Sequence, residues 1–168
     1  SPLRKPLIVM SPKSLLRHKE TVSSLQDMAA GSFQVILDET DGFQPEVIER
    51  VIICSGKVYY DVRAERRKRE INNVAIVRLE QLYPFPHDVF ANTLSQYKNV
   101  KSVVWCQEEP MNQGAWYSSQ HHIHRGLQKH FPEILLEYAG RDASAAAAAG
   151  YPILHLSQQH KFINEALG

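Results

Sequence analysis

Short apolar runs rich in β-branched residues recur along the chain, and longer amphipathic segments separate them. In most of the runs the apolar residues are continuous and do not alternate with polar ones, which is typical of strands buried on both faces of a parallel sheet. The runs lie at residues 7–10, 33–37, 50–54, 74–77, 103–106 and, more weakly, 134–138. This pattern therefore predicts a sheet whose strands are enclosed by other elements.

The segments between the apolar runs have helical features. Residues 14–30 carry apolar side chains at helical spacing and end before Gly31, a residue type common just after a helix. The segment 86–97 begins with proline, which is tolerated in a first helical turn. Helices are predicted at 14–30, 57–70, 86–97, 114–130 and 155–167. Strands that alternate with helices predict an α/β fold, a three-layer sandwich with helices on both faces of a mostly parallel sheet.

The length and the charge of the chain exclude several classes of protein. A length of 168 residues fits one domain, so residues 1–168 are expected to form a single domain. A net charge of +1 draws the chain neither to nucleic acid nor to anionic lipid. No apolar run approaches the ~18 residues that a membrane span needs. Because the chain begins Ser1-Pro2 without an initiator Met, we expect a fragment of a longer protein or a processed chain.

The cysteine pattern indicates thiols with a packing role. Cys54 and Cys106 each end an apolar run, and neither belongs to a spacing typical of metal ligands. We therefore predict buried, reduced thiols in a compartment that keeps cysteines reduced.

The turn after the third apolar run is a candidate anion site. Ser55, Gly56 and Lys57 join a predicted strand to a predicted helix, and the glycine permits a tight turn that brings backbone N–H groups to the helix start. The segment is not a P-loop, because the first glycine of that motif is missing and Val58 follows the lysine. An ordinary structural turn explains these residues as well, so both interpretations stay open.

Arg78 is the second candidate for anion binding. It lies at the carboxyl end of the fourth predicted strand, the edge at which open α/β sheets bind ligands. The alternative is an ion pair between Arg78 and Glu80 or another neighbouring acid. The residues alone do not choose between these two roles.

No catalytic group is evident in the sequence. Glu108 and Glu109 are adjacent on an extended segment, so their side chains point to opposite sides and form no facing acid/base pair. Helix capping or a subunit contact is the expected role of these two glutamates. No nucleophile–base motif occurs elsewhere.

Charged and histidine-rich stretches on the predicted helices are also explained without chemistry. His121, His122, His124 and His130 lack a carboxylate or cysteine partner for a four-ligand zinc site, so a solvated or interface helix face is expected. The same holds for the basic run 63–69, which Glu65 interrupts. The alanine-rich stretch 143–149 is too short for a stable isolated helix and is predicted to be a loop or single turn against a partner surface.

Several long motifs, in this order, resemble one family of enzymes. They are RKPLIVMSPKSLLRH (4–18), CSGKVYYD (54–61), VAIVRLEQLYPFP (74–86), WCQEEPMNQGAW (105–116) and YAGR (138–141). Together they are similar to the C-terminal region of the thiamine-diphosphate-dependent component of 2-oxoglutarate dehydrogenase, with the closest match to proteobacterial members. The resemblance spans nearly the whole chain, and five ordered motifs are more specific than any single short pattern.

The resemblance implies a transketolase-like C-terminal domain of a cytoplasmic bacterial enzyme. The parent enzyme would decarboxylate 2-oxoglutarate on thiamine diphosphate with a magnesium ion, and would pass the succinyl unit to the lipoyl group of its succinyltransferase partner. In that family both cofactors are bound by preceding domains. The sequence agrees, because Asn72-Asn73 has no Gly-Asp-Gly upstream to complete a thiamine-diphosphate motif. The isolated domain is therefore expected to have no catalytic residue, no metal ligand and no cofactor of its own.

The resemblance also implies roles for this domain itself. It would contact the preceding domains of the same enzyme and the second subunit of a homodimer. Some actinobacterial relatives bind acetyl-CoA as an effector at a site that involves this domain. By their position at strand ends, Ser55, Gly56, Lys57 and Arg78 are the candidates for binding an acetyl-CoA or AMP effector. The alternatives are a stand-alone nucleotide- or CoA-binding regulatory module, and a purely structural dimerisation domain without a ligand.

Overall fold

The chain divides into two compact units, residues 1–33 and residues 34–168. The computed structural model describes residues 4–168. Each unit is built from its own elements and is described separately below. That residues 1–168 form a single domain stays a prediction.

The first unit contains short helices instead of the continuous helix predicted over residues 14–30. A 3-10 helix spans Lys13–Arg17, and irregular backbone follows it. The Thr21 hydroxyl donates to the carbonyl oxygens of Leu15 at 2.7 Å and His18 at 2.9 Å. Such local side-chain bonds compete with helical hydrogen bonding, which explains why the long-helix prediction is wrong.

Helix α1 (Leu25–Ala30) begins with a capping box. The Ser24 hydroxyl accepts from the Asp27 N–H at 3.0 Å, and the Asp27 carboxylate accepts from the Ser24 N–H at 3.1 Å. This reciprocal pair satisfies two N–H groups that have no partner within a helix. A separate helix therefore begins at Leu25.

The apolar run 7–10 is not a strand, so that prediction is wrong. Its backbone is irregular, and its side chains are exposed, from 70% at Val9 to 92% at Met10. A short continuous apolar run does not by itself distinguish a buried strand from an extended segment that needs another surface to cover it.

The second unit is an α/β structure around a five-stranded sheet with strand order β1-β3-β2-β4-β5. Strands β2, β3, β4 and β5 are mutually parallel, and only β1 at the edge runs antiparallel to β3. In chain order its strands and helices are β1 (Ile36–Leu37), a 3-10 helix (Pro45–Val47), β2 (Arg50–Cys54), α2 (Val58–Lys68), β3 (Val74–Leu79), α3 (His87–Ser95), β4 (Ser102–Pro110), α4 (Trp116–His130), β5 (Leu136–Arg141) and α5 (Pro152–Leu167).

Helices cover both faces of this sheet. Successive strand residues point to opposite faces, so Ile52 packs with α2 and α5 whereas Val51 and Ile53 pack with α3 and α4. Buried side chains fill both layers, including Val62 and Phe162 on one face. The prediction of a three-layer α/β sandwich with a mostly parallel sheet is confirmed.

Glycine permits close packing of α3 against α4. A Cβ atom built on Gly126 would lie 2.6 Å from Cδ1 of the buried Phe90 ring. Because such a distance is too short for a real contact, only a residue without a side chain fits this crossing. The two helices therefore depend on Gly126 for their approach.

The register of the parallel strands brings their carboxyl ends to one edge. Cys54 at the end of β2 pairs with Arg78 on β3 and with Cys106 on β4. The loops that follow these strands consequently meet at the same edge, where ligands bind in open α/β sheets. Throughout the described range 4–168, no helix combines the length and apolar character needed to cross a bilayer.

Candidate functional site

The turn after β2 lines a cavity at the carboxyl edge of the sheet. Gly56 has a φ of +75°, a conformation that favours glycine. Ser55 and Gly56 border a cavity of about 260 Å³, which Trp105, Gln107 and Glu109 also line. Two of the four predicted anion-binding residues, Ser55 and Gly56, thus line this cavity.

Lys57 lies between carboxylates. Its Nζ atom is 2.8 Å from Oδ2 of Asp61 and 3.0 Å from Oε2 of Glu108. Burial lowers the pKa of Lys57, but the hydrogen bonds that Nζ donates to Asp61 and Glu108 outweigh that effect, so the pKa is raised. The ammonium group therefore stays charged, and an incoming anion would compete with the carboxylates already there.

Arg78 packs on aromatic rings at the same edge. Its guanidinium carbon lies 4.2 Å from the ring centroid of Tyr59, and Nη1 donates to the Tyr60 hydroxyl at 3.3 Å. Glu80 forms an ion pair with Nε at 3.7 Å, as the alternative interpretation predicts. This distance exceeds a hydrogen bond, and the buried Nε has no hydrogen-bond partner.

Gln107 organises the loop between β4 and α4. It is 2% exposed, and its Oε1 accepts from Nε1 of Trp105 at 2.9 Å and from the Trp116 N–H at 3.0 Å. Its Nε2 donates to the carbonyl oxygens of Pro110 at 3.1 Å and Gln113 at 2.9 Å. The first turn of α4 is therefore capped by Gln107, whereas the sequence pattern assigned capping to the neighbouring glutamates.

A buried cluster of arginines and acids joins α2 to the loop after β1. Arg66, only 1% exposed, pairs with Glu39 and with Asp41 at 2.6 Å. Arg63 and Arg67 also bind Asp41. The prediction of a solvated or interface face is therefore wrong for Arg66, which is buried within the chain. Its acidic partners lie far away in sequence, so no local pattern marks them.

The cluster fixes the charge of its acids. Burial raises the pKa of Asp41, but hydrogen bonds from Arg67, Arg63 and Arg66 outweigh it and hold the pKa well below its usual range. Burial likewise raises the pKa of Glu39, and its bonds to Arg66 and to backbone N–H groups leave a net lowering. Both carboxylates are therefore ionised near neutral pH.

The histidines of α4 form a stacked surface group. The His122 ring lies 4.9 Å from Phe85 and 3.9 Å from His121, measured between centroids. The pKa of His122 is lowered, first by burial and then by His121, His87 and Arg125. Within residues 4–168, no group of three or more His, Cys, Asp or Glu side chains could hold a metal ion.

The cysteines are free and buried, as predicted. Burial raises the pKa of Cys54 to about 12 and raises that of Cys106 well above its ordinary value. Since the thiolate is the nucleophilic form, these side chains pack the core and supply no nucleophile.

Comparison with known proteins identifies a family. The family model described as "2-oxoglutarate dehydrogenase C-terminal" matches residues 22–167. The chain is 54% identical over 165 residues to the 2-oxoglutarate dehydrogenase E1 component of Azotobacter vinelandii, covering 98% of this chain and 18% of that protein. It is 49% identical to the E1 component of Haemophilus influenzae, covering 98% of this chain and 17% of that protein. The chain is also 49% identical to the E1 component of Coxiella burnetii, covering 99% of this chain and 18% of that protein.

A solved structure titled "Split gene transketolase, inactive beta4 tetramer" has a TM-score of 0.48 and 14% identity, covering 71% of this chain and 39% of that one. The chain spans less than a fifth of the length of its curated relatives. The family match covers most of the chain, and the identities are high. This chain belongs to the 2-oxoglutarate dehydrogenase C-terminal family.

Proposed function

We propose that this chain serves as an assembly domain of a cytoplasmic bacterial 2-oxoglutarate dehydrogenase E1 component. The observation that carries the proposal is the match of residues 22–167 to the family's C-terminal model, together with relatives up to 54% identical. The whole enzyme would decarboxylate 2-oxoglutarate on thiamine diphosphate and magnesium. It would then transfer the succinyl unit to the lipoyl group of the succinyltransferase partner.

The chemistry of the donor groups supports a non-catalytic role for this domain. The described residues bring together no metal-binding group of His, Cys, Asp and Glu side chains. Both thiols are buried, and their pKa values are raised. On the family resemblance, we propose that preceding domains of the same enzyme hold the cofactors.

Exposed apolar side chains in the first unit support the assembly role. Leu7 is 87% exposed, Ile8 80% and Met10 92%. Contiguous apolar residues exposed to this degree are typical of surfaces that another protein surface covers. The proposed occupants are the preceding domains and the second subunit of a homodimer.

The assembly role can be tested by supplying the domain in trans. The E1 component of Azotobacter vinelandii would be truncated to remove the region matched here and then mixed with this chain. We expect 2-oxoglutarate decarboxylation, measured as CO₂ release with thiamine diphosphate and magnesium, only when both polypeptides are present. Decarboxylation by this chain alone would refute the assignment.

A double variant tests which surface is used. Leu7→Ser with Val9→Ser removes apolar contact from the exposed run, whereas Leu135→Ser changes a side chain 77% exposed in the second unit. The double variant should lose co-purification with the truncated E1 component, and the Leu135 control should retain it. Equal retention by both variants would contradict an interface at residues 7–10.

We infer, as a second role, that an acetyl-CoA or AMP effector binds through Ser55, Gly56, Lys57 and Arg78. Support comes from the cavity of about 260 Å³ that Ser55 and Gly56 line, and from the buried Nε of Arg78, which has no hydrogen-bond partner. Both features lie at the edge where open α/β sheets take ligands.

Calorimetry distinguishes this role from a ligand-free domain. Acetyl-CoA or AMP should release heat with the wild-type chain, and Lys57→Ala and Arg78→Ala should each abolish it. Lys101→Ala, which changes a side chain 71% exposed, is the matched control. Unchanged binding in the Lys57 and Arg78 variants would refute the site. Nucleotide binding without any association with E1 would favour the stand-alone regulatory module, which the relatives named above do not favour.

A further inference from the structure

The alanine-rich loop, residues 143–150, lies over a pair of cavities at the carboxyl end of β5. The side chain of Asn112 holds the loop in place: its Nδ2 donates to the Ser144 carbonyl at 3.0 Å and its Oδ1 accepts from the Ser144 N–H at 2.9 Å. The cavities have volumes of about 190 Å³ and about 260 Å³, and Arg141, Ala148 and Ala149 line both. The buried side chain of Arg141 thus lines both cavities.

Arg141 is buried without a carboxylate partner. The residue is 8% exposed, and its Nε donates to the Glu108 backbone carbonyl at 2.8 Å. Its terminal nitrogens bond to the amide oxygens of Gln158 and, at 3.0 Å, Gln159, and to Nδ1 of His155 at 3.2 Å. Among residues 4–168, no Asp or Glu oxygen lies within 4.0 Å of its guanidinium nitrogens.

Arg141 lacks the carboxylate partners that Arg66 has. Arg66 is the other buried arginine of the described chain, and it pairs with both Glu39 and Asp41. Neutral acceptors satisfy the hydrogen bonds of Arg141 but do not neutralise its charge, and an uncompensated buried charge is strongly unfavourable. A negative group that enters from outside the chain would supply the missing compensation.

The smaller cavity provides a second positive feature. Gly150 and Leu154 line it, and they flank the start of α5, whose N-cap Tyr151 contributes no side-chain cap. Unsatisfied N–H groups and the helix dipole make the start of a helix favourable for anions. Asp142 also lines this cavity, but its side chain is 94% exposed and lies 3.9 Å from Lys161.

The larger cavity is less suitable for an anion. Glu108 and Glu109 both line it, and their carboxylates would repel a negative ligand. The smaller cavity has room for about six water molecules at their liquid volume of ~30 Å³ each, which is enough for a phosphate or carboxylate group.

We propose that the smaller cavity beneath the alanine-rich loop is a binding site for a small oxyanion, a phosphate or a carboxylate group. Arg141 supplies the charge, and the first turn of α5 supplies backbone N–H donors. This site is distinct from the Ser55–Arg78 set, and it stands whether or not the proposed function is correct.

The test is an NMR titration of the full 168-residue chain with inorganic phosphate and, separately, acetate, at constant ionic strength. Saturable shifts of the Ile153 and Leu154 amide signals and of the Arg141 side-chain N–H are expected with at least one of the anions. The anion that binds with the higher affinity, phosphate or acetate, identifies the chemistry of the ligand. Linear shifts with both anions, without saturation, would overturn the proposal.

Two variants keep the result independent of a folding defect. Gln158→Glu places a carboxylate beside Arg141, so it should raise the melting temperature without ligand and weaken anion binding by about tenfold or more. Arg141→Lys keeps the charge but loses the planar donor group, and should also weaken binding about tenfold. Lys101→Gln, an exposed charge change elsewhere, should bind as the wild type does. Wild-type affinity in Gln158→Glu would overturn the proposal.

Discussion

Replacing Arg66 with methionine removes a guanidinium group while keeping most of its apolar volume. In the wild type this group bonds to Glu39, Asp41 and the Val74 carbonyl oxygen, the last at 2.7 Å. After the change, Asp41 retains Arg63 and Arg67, but the Glu39 side chain, 7% exposed, loses its arginine partner. Breaking a buried ion pair in this way typically costs 3–5 kcal/mol. Because Asp41 stays paired, we expect a loss of about 3 kcal/mol in the free energy of unfolding.

The expected loss depends on pH, and its sign follows from the lowered pKa values of Glu39 and Asp41. Both acids have a lower pKa in the folded state than in the unfolded state, where values near 4 are usual. Their contribution to stability is therefore complete above that pH and is lost as the pH falls. In the Arg66→Met variant, the pKa of Glu39 is raised by burial and lowered only by the N–H groups of Asp41 and Ile76, so its pKa should be higher than in the wild type and protonation should relieve the unpaired charge at low pH. The deficit relative to the wild type should consequently be largest at pH 7 and smaller at pH 4.

Urea denaturation at both pH values, followed by circular dichroism, measures this deficit. Arg67→Met is the matched control: its side chain is 44% exposed and also binds Asp41, so its loss should stay below about 1 kcal/mol. A deficit for Arg66→Met below about 1 kcal/mol at pH 7, or one that does not change with pH, would refute the reasoning.

Three further predictions concern the core of the second unit. Gly126→Ala should lower the free energy of unfolding by about 1–2 kcal/mol, because overpacking against Phe90 outweighs the ~1 kcal/mol gained in helix propensity. Differential scanning calorimetry measures this change, and an increase in stability would contradict the close approach of α3 to α4 at Gly126. Gln107→Leu should cost about 2–4 kcal/mol by leaving buried polar partners unpaired, with a shift in tryptophan fluorescence; a melting temperature equal to that of the wild type would show that the loop needs no such anchor. At pH 8, Cys54 and Cys106 should react with a thiol reagent only as fast as the protein opens, since their raised pKa values leave almost no thiolate; fast labelling of the native chain would exclude their burial.

The sheet was predictable because its strands are marked by patterns of neighbouring residues in the sequence. Strand β2 matches the predicted run 50–54, and the helices α2 to α5 lie within a few residues of the predicted segments. Period and residue type carry that information, since a buried parallel strand needs a continuous apolar run. The run 7–10 satisfies the same pattern, but it has no strand to pair with among the described residues.

The long-range charged contacts were not predictable, because they join residues distant in sequence. Arg66 and Glu39 lie on different elements, as do Lys57 and Glu108. The sequence shows that Lys57 follows a glycine at a strand end but not that carboxylates meet it there. For Arg141, the sequence places it in the YAGR motif, and only the structure shows that it is buried among neutral acceptors.

The strand order has a consequence for how the second unit forms during synthesis. The central strand β2 pairs on one side with β4, and Arg50 lies opposite Ser102. This side of β2 can therefore form its hydrogen bonds only after β4 has left the ribosome. Helix α5 follows all five strands in the chain, so the part of the sheet face that it covers stays exposed until residues 152–167 have been synthesised. Pairings so far apart in sequence are slow to form. The nascent chain therefore leaves the β4 side of β2 unpaired until residues 102–110 have been synthesised.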